Sequence, residues 1–155
     1  MLLDLLATDS DWTLTLIRIV LGVVFFAHGS QKLLGWFGGF GFQGTMGFLT
    51  NQGGLPYIIA VLVILTESIA ALFIFFGFLT RFAAFCVLVN FIGIVLYTHA
   101  YNVFFMNWAG NQKSEGLEYF VLLLGLTISV IISGGGKASL DAALLKNTKV
   151  KPALN

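Results

Sequence analysis

Four long apolar segments constrain the fold of this chain more strongly than any other feature. They cover about residues 12–33, 55–78, 80–101 and 117–133, and a helix needs about 20 mostly apolar residues to cross a hydrocarbon core of roughly 30 Å. Each segment must be helical, because lipid offers no hydrogen-bond partner to the edge of an open sheet. The sequence therefore predicts an all-α membrane protein, with four transmembrane helices bundled into one domain over residues 1–155.

The composition excludes several other classes of protein. Hydrophobic residues make up 58% of the chain and charged residues only 10%, which leaves too little charge to cover a soluble surface. The net charge of +1 provides no basic surface for a nucleic acid. The single cysteine, Cys86, excludes a disulfide framework and a cysteine-based zinc site within one chain. We therefore set aside a soluble enzyme, a nucleic-acid-binding protein and a disordered protein, and expect the lipid bilayer as the principal environment.

The distribution of basic residues predicts the orientation, because cytoplasmic loops of membrane proteins are enriched in Lys and Arg. With four spans, both termini and the connection between the second and third spans lie on one side of the membrane. That side carries Arg81, Lys137, Lys146, Lys149 and Lys151, whereas the other side carries Lys32 and Lys113. We predict a multi-pass membrane protein with both termini in the cytoplasm.

Two connecting segments have a distinctive composition. Residues 34–54 form an outer connection that is uncharged, aromatic and rich in glycine. Such a segment is too apolar for a solvated loop and too short for a span, so we expect an aromatic loop that lies in the interface or dips into the membrane. Three glycines at 134–136 end the last span, and residues 138–147 then predict a short C-terminal helix on the inner surface.

One face of the first span carries polar and small residues. The residues on this face, at helical spacings of three and four, are Arg18, Gly22, Phe25, Gly29 and Lys32. Glycines let another helix approach closely, and intramembrane charges usually face the interior of a bundle. This face should therefore point inward.

Estimated depths group the intramembrane polar residues into two layers. Arg18, Glu67 and Asn90 fall in the inner half, which predicts one buried polar layer with Arg18 and Glu67 as a candidate ion pair. In one interpretation this pair is part of a functional site. In the other it only stabilises the contact between two helices.

The second layer is an outer polar cluster with a candidate role in binding a ligand or handling protons. Its predicted members are His28, Lys32, His99 and Glu118, with Glu115 nearby. Alternatively, these residues have only structural roles. The Lys32 side chain then extends to the membrane interface, the histidines form hydrogen bonds between helices, and Glu118 is an acid favoured by the helix dipole at the start of its span. The two histidines could also ligate a haem, which we disfavour because neither lies in a haem motif. No metal site is predicted, since a zinc ion lacks a convincing third ligand.

Three ordered patches of sequence carry a resemblance to a known family. They comprise Arg18 with residues 28–33 and 35–40, residues 54–56 with 66–68, and Gly116 and Glu118 with residues 134–136 and 139–141. In their order and spacing, the chain resembles the DoxX family of small bacterial membrane proteins over residues 14–146. The proline usual in the family's closing glycine segment is absent here. The resemblance implies a four-helix protein of a bacterial inner membrane that is associated with redox metabolism. Some members are similar to quinone-linked oxidoreductase subunits.

The first functional hypothesis is a quinone-binding or quinone-linked redox component. A quinone headgroup needs hydrogen-bond donors, a proton route and an apolar slot. The outer cluster supplies polar groups, and Phe25, Trp36 and Phe40 are candidate pocket walls. The chain itself has no dithiol, flavin fold or evident metal site, so electrons must come from a protein partner or a bound cofactor.

Two other functions remain open. The chain could be a non-catalytic accessory subunit of a larger membrane complex, or a homo-oligomer, in which the aromatic loop serves as a docking surface. A small-solute transporter ranks third, because the sequence shows no inverted repeat or pair of broken helices.

Overall fold

A computed structural model describes residues 5–98, 103–112 and 116–149. Within these ranges all regular secondary structure is helical and no strand occurs, as the predicted all-α class requires. The helices are α1 (Trp12–Leu34), α2 (Gly41–Gly47), α3 (Tyr57–Phe76), α4 (Thr80–Thr98), α5 (Leu117–Ser133) and α6 (Leu140–Lys149). Helices α1, α3 and α4 are long and apolar enough to cross a membrane, and α5 is a shorter apolar helix of 17 residues.

Local capping explains the bounds of α1. Asp11 has an extended backbone, and its carboxylate accepts a hydrogen bond from the Thr13 N–H at 2.8 Å. At the other end, Gly35 adopts a left-handed conformation with φ 75° and donates its N–H to the Ser30 carbonyl. A side-chain N-cap and a left-handed glycine are the usual start and stop of a helix.

The uncharged connection after α1 folds into short helical pieces. A 3₁₀ turn at Trp36–Gly38 is followed by α2, which continues into a π-helical turn at Phe48–Gln52. Met46 and Leu49 of this segment pack with Ala60 and Ile64 of α3 in a small apolar cluster of their own. The connection is thus attached to the first half of α3.

The main apolar core lies between α1, α3, α4 and α5. Its buried members include four alanines, Ala70, Ala71, Ala83 and Ala84, besides larger residues such as Leu21 and Phe25. Small residues bring helix backbones close together, which matters where lipid removes the hydrophobic drive between helices. The residues predicted to form the inward face of α1 do face this interior, since Arg18, Gly22, Phe25 and Gly29 are all buried.

Helix α3 is interrupted by a π-helical turn at Thr66–Ala70, which contains Glu67. Gly29 of α1 packs directly against this turn: a Cβ atom built on Gly29 would overlap the Glu67 carbonyl and lie 2.7 Å from Ser68 Cα. The Ser68 hydroxyl also donates to the Gly29 carbonyl at 3.2 Å. A π turn adds a residue to one turn of a helix and is frequent at functional sites.

We expect Gly29→Ala to destabilise the protein by about 1–3 kcal/mol, because the added methyl group must push α1 and α3 apart. Gly125→Ala in α5 is the matched control, since no described atom outside its own helix lies within 4 Å of a Cβ built there. Thermal unfolding in one detergent, followed by circular dichroism, compares the two variants. Equal melting temperatures for both would contradict this close contact.

The start of α6 is attached to the start of α4 by a buried carboxylate. Asp141 is 1% exposed and accepts hydrogen bonds from the Leu79 N–H at 2.8 Å, the Thr80 N–H at 2.9 Å and the Thr80 hydroxyl at 2.6 Å. Asp141 therefore caps α4 from another segment of the chain. The short C-terminal helix was predicted at residues 138–147, and the structure has it at Leu140–Lys149.

Candidate functional site

Glu67 is the centre of a polar cluster inside the helix bundle. It is 1% exposed, and its Oε2 atom forms an ion pair with the Lys32 ammonium near the C-terminal end of α1. Its Oε1 atom accepts a hydrogen bond from the Asn90 amide of α4 at 3.2 Å. Each carboxylate oxygen thus has a hydrogen-bond donor, and the two donors come from different helices. A buried ion pair requires such additional hydrogen bonds.

Two further polar side chains lie beside this carboxylate. His28 is one helical turn before Lys32 on α1, and the His28 ring and the Tyr119 side chain of α5 both lie within electrostatic range of Glu67. The Tyr119 hydroxyl and His28 Nε2 are 3.5 Å apart. His28 is exposed, so the five residues, which we name the Glu67 cluster, reach the protein surface through its imidazole ring.

The predicted ion pair between Arg18 and Glu67 is wrong. Arg18 is 2% exposed, but its guanidinium group donates to backbone carbonyls at the end of α3 and in the segment before α6. The acceptors are Gly135 at 2.6 Å, Ile74 at 3.3 Å, Phe75 and Ala138. Asn90, which was placed in the same predicted polar layer, donates its amide N–H to Glu67.

The register between α1 and α3 explains this correction. Gly22 packs against Phe75 and Gly29 packs against the π-helical turn that contains Glu67. Helices α1 and α3 are therefore antiparallel. Arg18, one turn before Gly22, therefore lies beyond Phe75 at the end of α3. Lys32, three residues after Gly29, lies close enough to reach Glu67.

The structure divides the predicted outer polar cluster. His28 and Lys32 join Glu67, whereas the Glu118 carboxylate accepts a hydrogen bond from the Met106 backbone N–H at 3.2 Å. Glu118 thus orders the connection before α5. His99 and Glu115 lie outside the described residues, so their membership stays a prediction.

The three aromatic residues predicted as pocket walls do not share one pocket. Phe25 is fully buried and packs on Phe91 with ring centroids 5.0 Å apart. Trp36 and Phe40 are 51% and 80% exposed. Both follow the left-handed Gly35 that ends α1, and the Trp36 ring packs edge-on against Phe26 at a centroid distance of 6.3 Å.

A cavity of about 460 Å³ lies between α3 and α4, and we name it the lateral groove. Most of its lining is apolar, with Thr66, Asn90 and Tyr97 as the polar exceptions. Neither this groove nor the role of Tyr119 was predicted from the sequence. The sequence did contain a signal for Tyr119, which is a lone tyrosine directly after Glu118 at the start of an otherwise apolar segment.

Comparisons with known proteins bear on this arrangement. The model of the DoxX family matches residues 13–100, which include Lys32, Glu67 and Asn90. The chain belongs to the DoxX family. It is 30% identical over 134 residues to the candidate oxidoreductase CatD of Bacillus subtilis (strain 168), covering 86% of this chain and 88% of CatD. It is 26% identical over 132 residues to the inner membrane protein YphA of Escherichia coli (strain K12), covering 83% of this chain and 87% of YphA. No solved structure shows a significant match.

In this DoxX protein, the Glu67 cluster can hold a proton or a hydrogen-bonding ligand. Lys32 and the Asn90 amide are donors, the carboxylate is an acceptor, and His28 and Tyr119 can act in either role. The described residues contain no group of three or more His, Cys, Asp or Glu side chains suited to a metal ion. The side chains of the Glu67 cluster themselves offer proton transfer and hydrogen bonding.

Proposed function

We propose that this DoxX protein binds a quinone headgroup at the Glu67 cluster and serves as a component of a redox system. The observation that carries the proposal is the nearly inaccessible Glu67 carboxylate with donors from α1 and α4. Ionisable residues inside a membrane are costly and usually mark a functional site. The relative CatD is named as a candidate oxidoreductase, which agrees with a redox role.

The side chains of the cluster match the needs of a quinone. Its carbonyl oxygens accept hydrogen bonds, which Lys32, Asn90 and His28 can donate. When bound, a quinone supplies two-electron, two-proton redox chemistry. The chain's own contribution is to orient the headgroup, to exclude bulk water and to hold a proton at Glu67. Electrons come from a partner protein in this proposal.

We also propose the arrangement of the chain in the membrane. Helix α5 has 17 residues, which is at the short end of the range for a span, and we infer that it is the fourth transmembrane helix of a single domain over residues 1–155. The excess of Lys and Arg supports cytoplasmic termini. The name of YphA supports an inner-membrane location.

The test is titration of the protein in lipid nanodiscs with duroquinone, a small quinone whose ring is fully substituted. We expect Glu67→Gln to weaken binding by roughly 10- to 100-fold, because the carboxylate holds in place the Lys32 ammonium and the Asn90 amide that donate to the quinone, and a hydrogen bond to a charged group contributes about 1.5–3 kcal/mol. Glu118→Gln is the matched control, since Glu118 is bonded to the connection before α5. Absence of binding to the wild-type protein, or equal affinity in both variants, would overturn the proposal.

A second candidate function is a non-catalytic subunit of a larger complex or homo-oligomer. It is favoured by the exposed aromatic side chains after α1, of which Phe37 is 70% and Phe40 80% exposed. Large exposed apolar surfaces often mark interaction sites. Native mass spectrometry of protein extracted gently from its own membrane tests this: a fixed larger assembly supports it, and a monomer contradicts it. The transporter hypothesis gains no specific observation from the described helices.

A further inference from the structure

The lateral groove opens on the surface that α3 and α4 share. Two apolar side chains at its rim, Leu62 of α3 and Phe85 of α4, are 52% and 54% exposed. Both belong to helices long and apolar enough to span a membrane. Once those helices lie in a bilayer, the opening faces lipid chains, and a ligand dissolved in the membrane can reach it by lateral diffusion.

One side chain connects the groove to the Glu67 cluster. Asn90 lines the groove and also donates its amide N–H to Glu67 Oε1 at 3.2 Å. Thr66, the residue before Glu67, lines the groove as well. The cluster therefore lies between two openings, one at the exposed His28 and the other at the groove.

The width of the groove depends on a glycine. Gly93 lines the groove in the second half of α4, and a Cβ atom built on it would meet no described atom within 4 Å beyond its own helix. Glycine in a helix interior is unfavourable by about 1 kcal/mol relative to alanine. Its position here leaves open the space that a side chain would fill.

We infer that the lateral groove binds the apolar chain of a membrane-dissolved ligand whose polar headgroup contacts the Asn90 amide beside Glu67. The inference rests on the proposed function and narrows it: the ligand is an amphipathic quinone with a linear apolar tail, taken from the bilayer, and not a water-soluble compound. Apolar walls with a few convergent polar groups are the usual composition of a small-molecule site.

The natural cysteine provides a direct readout of occupancy. Cys86 is the single cysteine of the chain and lines the groove one turn before Asn90. The experiment measures the rate at which N-ethylmaleimide alkylates Cys86 in nanodiscs, with and without saturating decylubiquinone. The ring of this quinone is fully substituted, so it does not add to the thiol. We expect decylubiquinone to slow alkylation about tenfold, and tail-less duroquinone to slow it little.

A pair of glycine variants tests the same inference by affinity. Gly93→Leu places a side chain in the groove, whereas Gly125→Leu, the matched control, adds it in α5 at an equally uncrowded position. We expect Gly93→Leu to raise the Kd of decylubiquinone about tenfold or more and to leave the Kd of duroquinone within about twofold. Gly125→Leu should change neither constant.

The outcomes distinguish this inference from the function on which it rests. If both quinones bind in a Glu67-dependent manner, but Cys86 is unprotected and Gly93→Leu matches Gly125→Leu, the groove assignment is overturned and the proposed function stands. If neither quinone binds the wild-type protein, the proposed function fails and the groove assignment fails with it.

Discussion

Removing one member of the ion pair, by Lys32→Met or Glu67→Leu, is expected to destabilise the protein by about 3 kcal/mol, at the low end for a buried pair. Each variant leaves the remaining charge without its partner. The side chain of Glu67 is 2% exposed and that of Lys32 is 28% exposed, so the loss should be larger when the unpaired group is the carboxylate. The double variant, which removes both charges, is expected to recover most of the stability.

The measurement is a double-mutant cycle on unfolding free energies, obtained by denaturant titration in mixed micelles. A strong coupling term is expected, because the two side chains are in direct contact. Lys137→Met is the control, since Lys137 lies over the Trp12 ring at 5.5 Å and should contribute about 1 kcal/mol or less. Losses in the double variant that equal the sum of both single losses would show that the ion pair is not formed.

The same variants separate stability from ligand binding. An apolar pair can replace a buried ion pair without loss of stability, but methionine and leucine provide neither a donor nor a proton acceptor. We therefore expect the double variant to fold well and still to bind duroquinone at least about tenfold more weakly than the wild-type protein. A stable double variant with unchanged affinity would move the binding site away from Glu67.

Features that depend on local sequence were predicted well. The last long apolar helix was predicted at residues 117–133 and lies at Leu117–Ser133, because apolar length and flanking glycines both act over a few residues. The inward face of α1 was also predicted, since it follows from helical periodicity alone. These features need no knowledge of which helix lies opposite.

The pairing of charges could not be predicted in the same way. Arg18 and Lys32 both lie on the inward face of α1, about 21 Å apart along its axis, and the sequence does not fix which of them lies level with the acid on α3. The choice depends on where Gly22 and Gly29 contact α3 and on the extra residue in the π turn. Depth estimates from span ends carry errors of several residues, at about 1.5 Å each, which exceeds the tolerance of an ion pair.

The backbone partners of Arg18 left a weaker signal in the sequence. Helix α3 ends at a left-handed Gly77, and Gly134 and Gly136 also have positive φ angles. Helix ends and glycine turns leave carbonyl groups without intrahelical partners. A buried arginine on the neighbouring helix is well suited to satisfy them, because a guanidinium group has five donors in a fixed plane.

Arg18→Met is therefore expected to cause the largest loss of stability among the variants considered, about 4 kcal/mol or more. The substitution leaves acceptors on two separate segments, Ile74 and Phe75 on one side and Gly135 and Ala138 on the other, without their donor. Each buried polar group left unsatisfied costs about 1–3 kcal/mol. Arg18→Lys keeps the charge but cannot contact both segments at once, so an intermediate loss of about 2 kcal/mol is expected.

Arg81→Met is the matched control for Arg18, because Arg81 makes a single described side-chain bond of this kind, to the Ala7 carbonyl at 2.8 Å, and should contribute about 1 kcal/mol. Unfolding midpoints of the three variants, measured in the same micelles, give the comparison. Equal losses for Arg18→Met and Arg81→Met would contradict the bridging role. The folded fraction of Arg18→Lys should bind duroquinone with wild-type affinity, because the register of α1 on α3 separates Arg18 from the Glu67 cluster. If Arg18→Lys lowers the stability but not the affinity for duroquinone, Arg18 is the residue that joins the ends of the helices. Ligand binding then depends on Glu67 and not on Arg18.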